Sequence, residues 1–113
     1  MPVYVDYFKG LYVPNAFSPL TGPEGVRTFL PKGKGLRNYR LEIFDTWGIK
    51  LWESTLLDQG SPAEGWNGVY NGKVLQQDVY VWKIYAEFLD GTVWIGQRRE
   101  GQYRTTGTVT LLR

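Results

Sequence analysis

Val79-Tyr80-Val81-Trp82-Lys83-Ile84-Tyr85-Ala86-Glu87-Phe88-Leu89, followed at once by Asp90-Gly91, is the stretch that decides the fold. Successive side chains of an extended chain point to opposite sides, so Tyr80, Trp82, Ile84, Ala86 and Phe88 share one face and Val79, Val81, Lys83, Tyr85 and Glu87 the other. The first face is apolar and aromatic throughout, while the second carries charge. That is the period-two pattern of a strand laid on a core. Asp-Gly then supplies the positive backbone angles of a tight turn, which sends the chain back through Thr92–Gln97 as a hairpin.

The same alternation recurs on either side. Tyr39, Leu41 and Ile43 share a face, Phe44 covers part of the other, Trp47-Gly48 turns the chain and Ile49–Ser54 pairs back. Near the start, Val3, Val5 and Tyr7 alternate with Tyr4, Asp6 and Phe8, and Leu11–Val13 runs into Pro14, a break that an edge strand tolerates. Pro and Gly crowd the interval Asn15–Gly35, which reads as a long loop anchored by Val26, Phe29 and Leu30. Thr55–Glu64 is polar apart from Leu56 and Leu57 and reads as a crossover between sheets. Asn67-Gly68 and Asn71-Gly72 are turn dipeptides that leave a short strand at most. Arg98–Arg104 reads as a polar interval and Thr105–Leu112 as a final strand. These segments predict an all-β chain, an immunoglobulin-like antiparallel β-sandwich of about seven strands, with an open barrel as the alternative.

A chain of 113 residues with 42% hydrophobic content supports one core, so residues 1–113 are expected to form a single domain. Residues 1–12 would be the junction with a larger upstream passenger, since Met1-Pro2-Val3 opens directly on strand-like sequence. No apolar run approaches the roughly 20 residues of a membrane-spanning helix. The net charge of +2 is too even for nucleic-acid binding. Arg98, Arg99, Arg104 and Arg113 against Glu100 make the last stretch locally basic, which reads as a solvated edge strand guarded against aggregation.

The sequence contains no cysteine and no histidine. It therefore lacks disulfides, thiolate nucleophiles, the commonest general base and the commonest zinc ligand. Ser18, Ser54 and Ser61 fall in turns and loops, where hydroxyls bond nearby backbone. Asp45, Glu53, Asp58, Glu64 and Asp78 could in principle supply a glycosidase pair, but their spacing does not make them converge. Lys32-Gly33-Lys34-Gly35 lacks the following helix of a phosphate loop and reads as a basic hairpin tip. The expectation is a non-enzyme with no cofactor, metal or small-molecule substrate. Of the tryptophans at 47, 52, 66, 82 and 94, Trp82 belongs to the core. Trp52 and Trp94 are candidates to face outward and stack on sugars, which makes a carbohydrate-binding or adhesive module the alternative function.

Five stretches occur in order: Val13-Pro14-Asn15-Ala16-Phe17-Ser18-Pro19, Leu41-Glu42-Ile43-Phe44-Asp45-Thr46-Trp47-Gly48, Trp66-Asn67-Gly68-Val69-Tyr70-Asn71-Gly72-Lys73, Val79-Tyr80-Val81-Trp82 and Gly107-Thr108-Val109-Thr110-Leu111-Leu112-Arg113. Together they resemble the gliding motility-associated C-terminal domain. The resemblance implies a sorting domain of the type IX secretion system, secreted or displayed at the cell surface after crossing the periplasm, with outer-membrane secretion or anchoring proteins as partners. The family commonly carries an Asn- and Asp-rich run after Phe-Ser-Pro that could hold calcium. Leu20-Thr21-Gly22-Pro23-Glu24-Gly25 offers one carboxylate instead, so no metal is carried over. Gln76-Gln77-Asp78 replaces the family's usual Pro-x-Gly turn. A strand with Val109 and Leu111 on one face, threonines on the other and a terminal Arg113 suits edge recognition, so Thr108, Val109, Thr110, Leu111, Leu112 and Arg113 are the expected recognition residues.

Overall fold

Alternation becomes a sheet with one dry and one wet face in the computed structural model, which describes residues 9–20 and 27–113. The expected strand before Phe8 and the anchor Val26 lie outside the described residues. The strands in chain order are β1 (Gly10–Tyr12), β2 (Ala16–Phe17), β3 (Lys32–Lys34), β4 (Leu36–Phe44), β5 (Lys50–Ser54), β6 (Leu57–Asp58) and β7 (Ser61–Pro62). They continue as β8 (Val69–Tyr70), β9 (Lys73–Val74), β10 (Asp78–Phe88), β11 (Gln97–Arg99), β12 (Gln102–Arg104) and β13 (Thr106–Leu111). The fold is all-β and sandwich-like, as the sequence predicts. Its strand count rises to thirteen among the described residues because a five-stranded sheet, ordered β2-β13-β10-β4-β5, is joined by four two-stranded ribbons.

The long strand β10 sits at the centre of that sheet, antiparallel to β4 on one side and β13 on the other. Register sets Trp82 opposite Ile43 and Gly107, Ile84 opposite Leu41, and Tyr80 opposite Val109, so the apolar residues of three strands fall on one face. All of these except Gly107 are buried. Val13, Phe17, Phe29, Trp66 and Trp94 complete the same core cluster from outside the three strands. Trp66, fully buried, lies 5.6 Å from Phe17 and meets Tyr80 edge-on at 5.3 Å. Aromatic contacts of this kind contribute about 0.5–1.5 kcal/mol beyond the area they bury.

Several segments read as loops are in fact paired. Lys32-Gly33-Lys34 is no hairpin tip but strand β3, antiparallel to β1. The Asn15–Gly35 interval also contains β2, which runs parallel to β13 and pairs Ala16 with Thr110 and Phe17 with Leu111. Thr55–Glu64 and Arg98–Arg104 each contain a ribbon, β6–β7 and β11–β12. Both turn through a dipeptide at positive φ, Gln59-Gly60 (53° and 82°) and Glu100-Gly101 (55° and 80°), the geometry also found at Asn71-Gly72 between β8 and β9. Two successive positive angles match the right-handed twist of the flanking strands.

Candidate recognition surface

The expected recognition segment is β13 with Leu112 and Arg113. Alternation divides it. Val109 and Leu111 are fully buried in the core, whereas Thr108 is exposed, Thr110 half-buried and Leu112 42% exposed. No partner could touch Val109 or Leu111 without opening the sheet, and these two side chains hold the strand in place.

Nor is β13 an edge strand along its whole length. The Thr110 amide donates to the Asn15 carbonyl at 3.0 Å and the Leu112 amide to the Phe17 carbonyl at 2.9 Å, which places β2 against its outer side. Strand β2 pairs with Thr110 and Leu111 and reaches no further back than Thr110. Among the described residues no strand pairs with the outer side of Thr106–Val109, and this is the length of backbone open to a partner strand. Arg113 is fixed by its amide, which donates to Gln77 Oε1 at 2.9 Å, and by its guanidinium, which donates to the Leu75 carbonyl. The Leu75 amide in turn donates to the Gly68 carbonyl, and Gly68 lies against the Leu111 methyls. Arg113 is thus bound into the fold, apart from Arg98, Arg99 and Arg104 on the β11–β12 ribbon, so the basic residues do not form one guarded edge.

On the wet face, register places Thr108 beside Val81 and Phe44, and Thr106 beside Lys83 and Glu42. Further along, Lys50 bridges Glu42 and Glu53. The Lys50 ammonium holds the Glu53 carboxyl below the usual range, and the hydrogen bonds that Lys50 donates to Glu53 and Glu42 raise Lys50 in return. Arg37 and Asn38 lower Glu87 in the same way. Burial, reinforced by the charge of Asp78, raises Tyr80.

Of the carboxylates weighed for catalysis, Asp45 and Asp78 border one cleft and Glu53 and Glu64 another, and most are engaged locally. Asp45 Oδ1 accepts the amides of Trp47 and Ile49, both at 2.9 Å, and so closes the β4–β5 turn. Asp78 accepts the Val79 amide, and Glu64 accepts the hydroxyl of buried Ser54 at 2.8 Å. No group of three acidic residues suited to a metal occurs among the described residues.

The tryptophans fall differently from expectation. Trp94 is 8% exposed, because its amide donates to the Ala86 carbonyl and its ring lies 6.5 Å from that of Trp82. Trp52 is partly buried against the core. The outward tryptophan is Trp47, 87% exposed at the tip of the turn that Asp45 organises. Its position next to Gly48, which takes a φ of 88°, was the available signal, since a turn tip leaves a side chain without neighbours.

The stretches that carry the resemblance meet in space. Phe17 and Trp66 are in ring contact, Trp66 packs on Tyr80, Tyr80 pairs with Val109, and Leu111 pairs with Phe17. Ile43 adds the fifth stretch through its pairing with Trp82. Comparisons with protein-family models, curated proteins and solved structures give no match to this chain.

Proposed function

We propose that this chain is a secretion signal and surface-targeting domain, recognised in its folded state by type IX secretion machinery or an outer-membrane partner protein. The observation that carries this reading is the mutual contact of the five resembling stretches, three of which supply the Phe17–Trp66–Tyr80 cluster beneath the segment Thr108–Arg113. Residues far apart in sequence cooperate to present one strand, which suits a binding role. The outer side of Thr106–Val109 offers backbone for strand addition, and Thr108 and Leu112 offer side chains to select a partner. Val109 and Leu111 act from inside. The domain is fused to a passenger that it delivers to the cell surface or the medium, and it performs no catalysis itself.

The test is a passenger fused to residues 1–113 in a host that has the matching machinery. The passenger should appear outside the cell, and deletion of Gly107–Arg113 should strand it inside. Undiminished secretion after the deletion refutes the proposal.

One observation favours a second reading, a carbohydrate-binding or adhesive module. Trp47 borders a cleft of about 520 Å³ shared with Tyr70, Asp45, Asp78 and Gln76, a combination of aromatic face and polar edge suited to a sugar ring. Titration of tryptophan fluorescence with polysaccharides tests it. A saturable change that disappears in Trp47→Ala supports adhesion, and no change with any glycan removes it.

A further inference from the structure

We propose that the cleft between the β11–β12 ribbon and the start of β13 binds a phosphate-sized oxyanion. The cleft has a volume of about 150 Å³ and is lined by Arg99, Arg104, Gln97, Thr106, Thr108 and the buried Trp82. Register places Gln97 opposite Arg104 and Arg99 opposite Gln102, so both arginines lie diagonally on one ribbon face, and long side chains in that relation reach a common point. No acidic residue lines the cleft, and among the described residues the ion pairs involve other side chains. Two arginines therefore border one small volume with no carboxylate beside them, although the Arg104 guanidinium also donates to Gln102 Oε1 on the same ribbon face.

The remaining lining also contributes donors. The amides of Thr110 and Leu112 point outward to β2. Alternation turns the Thr108 amide the same way, beyond the point where β2 ends. The Gln97 side chain accepts the Val13 amide through Oε1 at 3.1 Å, which leaves its NH2 group available. Thr106 spends its hydroxyl proton on the Trp82 carbonyl at 2.9 Å. Two arginines on the ribbon side, a main-chain amide on the β13 side and a side-chain amide match the several oxygens of a tetrahedral phosphate better than the two coplanar oxygens of a carboxylate. The volume admits one such group, either free or as the head of a phosphorylated lipid. This proposal does not rest on the export reading.

Amide NMR spectra of the folded chain, titrated with sodium phosphate, test it against sodium chloride and sodium acetate at equal ionic strength. Saturable shifts are expected at Arg99, Arg104, Gly107, Thr108 and the Trp82 indole, with phosphate binding about tenfold more tightly than acetate. In Arg99→Gln/Arg104→Gln, which changes exposed side chains only, these shifts should weaken by at least about tenfold. A parallel arm uses phosphatidylcholine vesicles with and without phosphatidic acid. Matching signal loss with phosphatidic acid supports the site with a lipid headgroup as its source, and a response to inorganic phosphate alone supports it with a soluble one. Absence of saturation, equal response to chloride or acetate, or unchanged shifts in the double variant overturns the proposal.

Discussion

Gly107→Ala should destabilise the domain although alanine is the better residue for an ordered backbone in most settings. Gly107 stands opposite Trp82 in the β10–β13 ladder. A Cβ placed there would lie 2.7 Å from Trp82 Cζ2, 2.9 Å from Cε2 and 3.2 Å from Nε1. Carbon atoms settle at about 3.5–4.0 Å, so ring or strand must yield by about 1 Å. The ring has little freedom to do so, since Trp82 is 4% exposed and packs near Trp94. Overpacking of this kind costs about 1–3 kcal/mol. Gly107 is not among the glycines at positive φ, so alanine recovers about 0.4–1 kcal/mol by restricting the unfolded chain. Taken at the middle of both ranges, the net loss is about 1 kcal/mol, a fall in Tm of roughly 4–8 °C for a domain near this size. Gly10→Ala is the matched control, because that position has no atom within 4 Å of the added carbon and no positive φ. Urea and thermal unfolding followed by tryptophan fluorescence and far-ultraviolet circular dichroism give both numbers. A Gly107→Ala protein as stable as its parent, beside a neutral or stabilised Gly10→Ala, would show that the close approach of β13 to Trp82 is not a constraint.

Tyr39→Phe should raise stability by about 1 kcal/mol in the same unfolding assay, because the buried Tyr39 hydroxyl finds no hydrogen-bond partner among the described residues and an unsatisfied buried group is costly; a marked loss would reveal a partner for it. Burial also pushes the Tyr39 hydroxyl well above the ordinary tyrosine range, so a spectroscopic titration should find it still protonated above about pH 10, the ordinary tyrosine value. On the acid side, Lys9 and Thr92 hold Asp90 below its ordinary value, as Lys50 does Glu53 and Arg37 does Glu87. Depressed carboxyls contribute stability above their unfolded values, near pH 4, and lose it as pH falls through the folded ones. Tm should therefore drop as pH falls below about 4, less steeply in Asp90→Asn and in high salt; a Tm insensitive to pH in that range would contradict the assignment.

The centre of the fold was legible because its chemistry is periodic. Tyr80–Phe88 and Tyr39–Ile43 announce a buried face by alternation alone, and Asp90-Gly91 and Asn71-Gly72 announce their turns by residue type. The ribbons were hidden because Gln59-Gly60 and Glu100-Gly101 adopt the same turn with residues that favour it weakly, between strands too short and polar to show a pattern. Trp94 was misplaced for a related reason. A single bridge, Glu87 to Val93, decides which way its ring faces, and one pair leaves no period to read. The parallel contact between β2 and β13 joins residues from opposite ends of the described chain and has no local signature. Along the recognition segment, alternation showed which residues share a face but not that Ala16–Phe17 would occupy part of its outer edge. The arginine cleft likewise depends on the ribbon's register, since Arg99 and Arg104 are brought to one face only by the turn at Glu100-Gly101.

Recognition and folding overlap in β13, and the strand's own period separates them. Leu111→Ala removes a fully buried side chain and should cost about 2–5 kcal/mol, with a smaller loss for Val109→Ala. Either change would reduce export by unfolding the signal, whatever the machinery reads. Thr108→Asp and Leu112→Asp alter exposed positions, where substitutions usually shift stability by less than about 0.5 kcal/mol. A scan from Thr108 to Leu112 that measures both Tm and the secreted fraction of a fused passenger should therefore separate two sets of positions, one where export falls with Tm and one where it falls alone. Stability should fall at Val109 and Leu111, and export should fall without loss of stability at Thr108 and Leu112. If export instead follows Tm at every position, Thr108 and Leu112 are not read, and the recognised surface lies elsewhere on the folded domain.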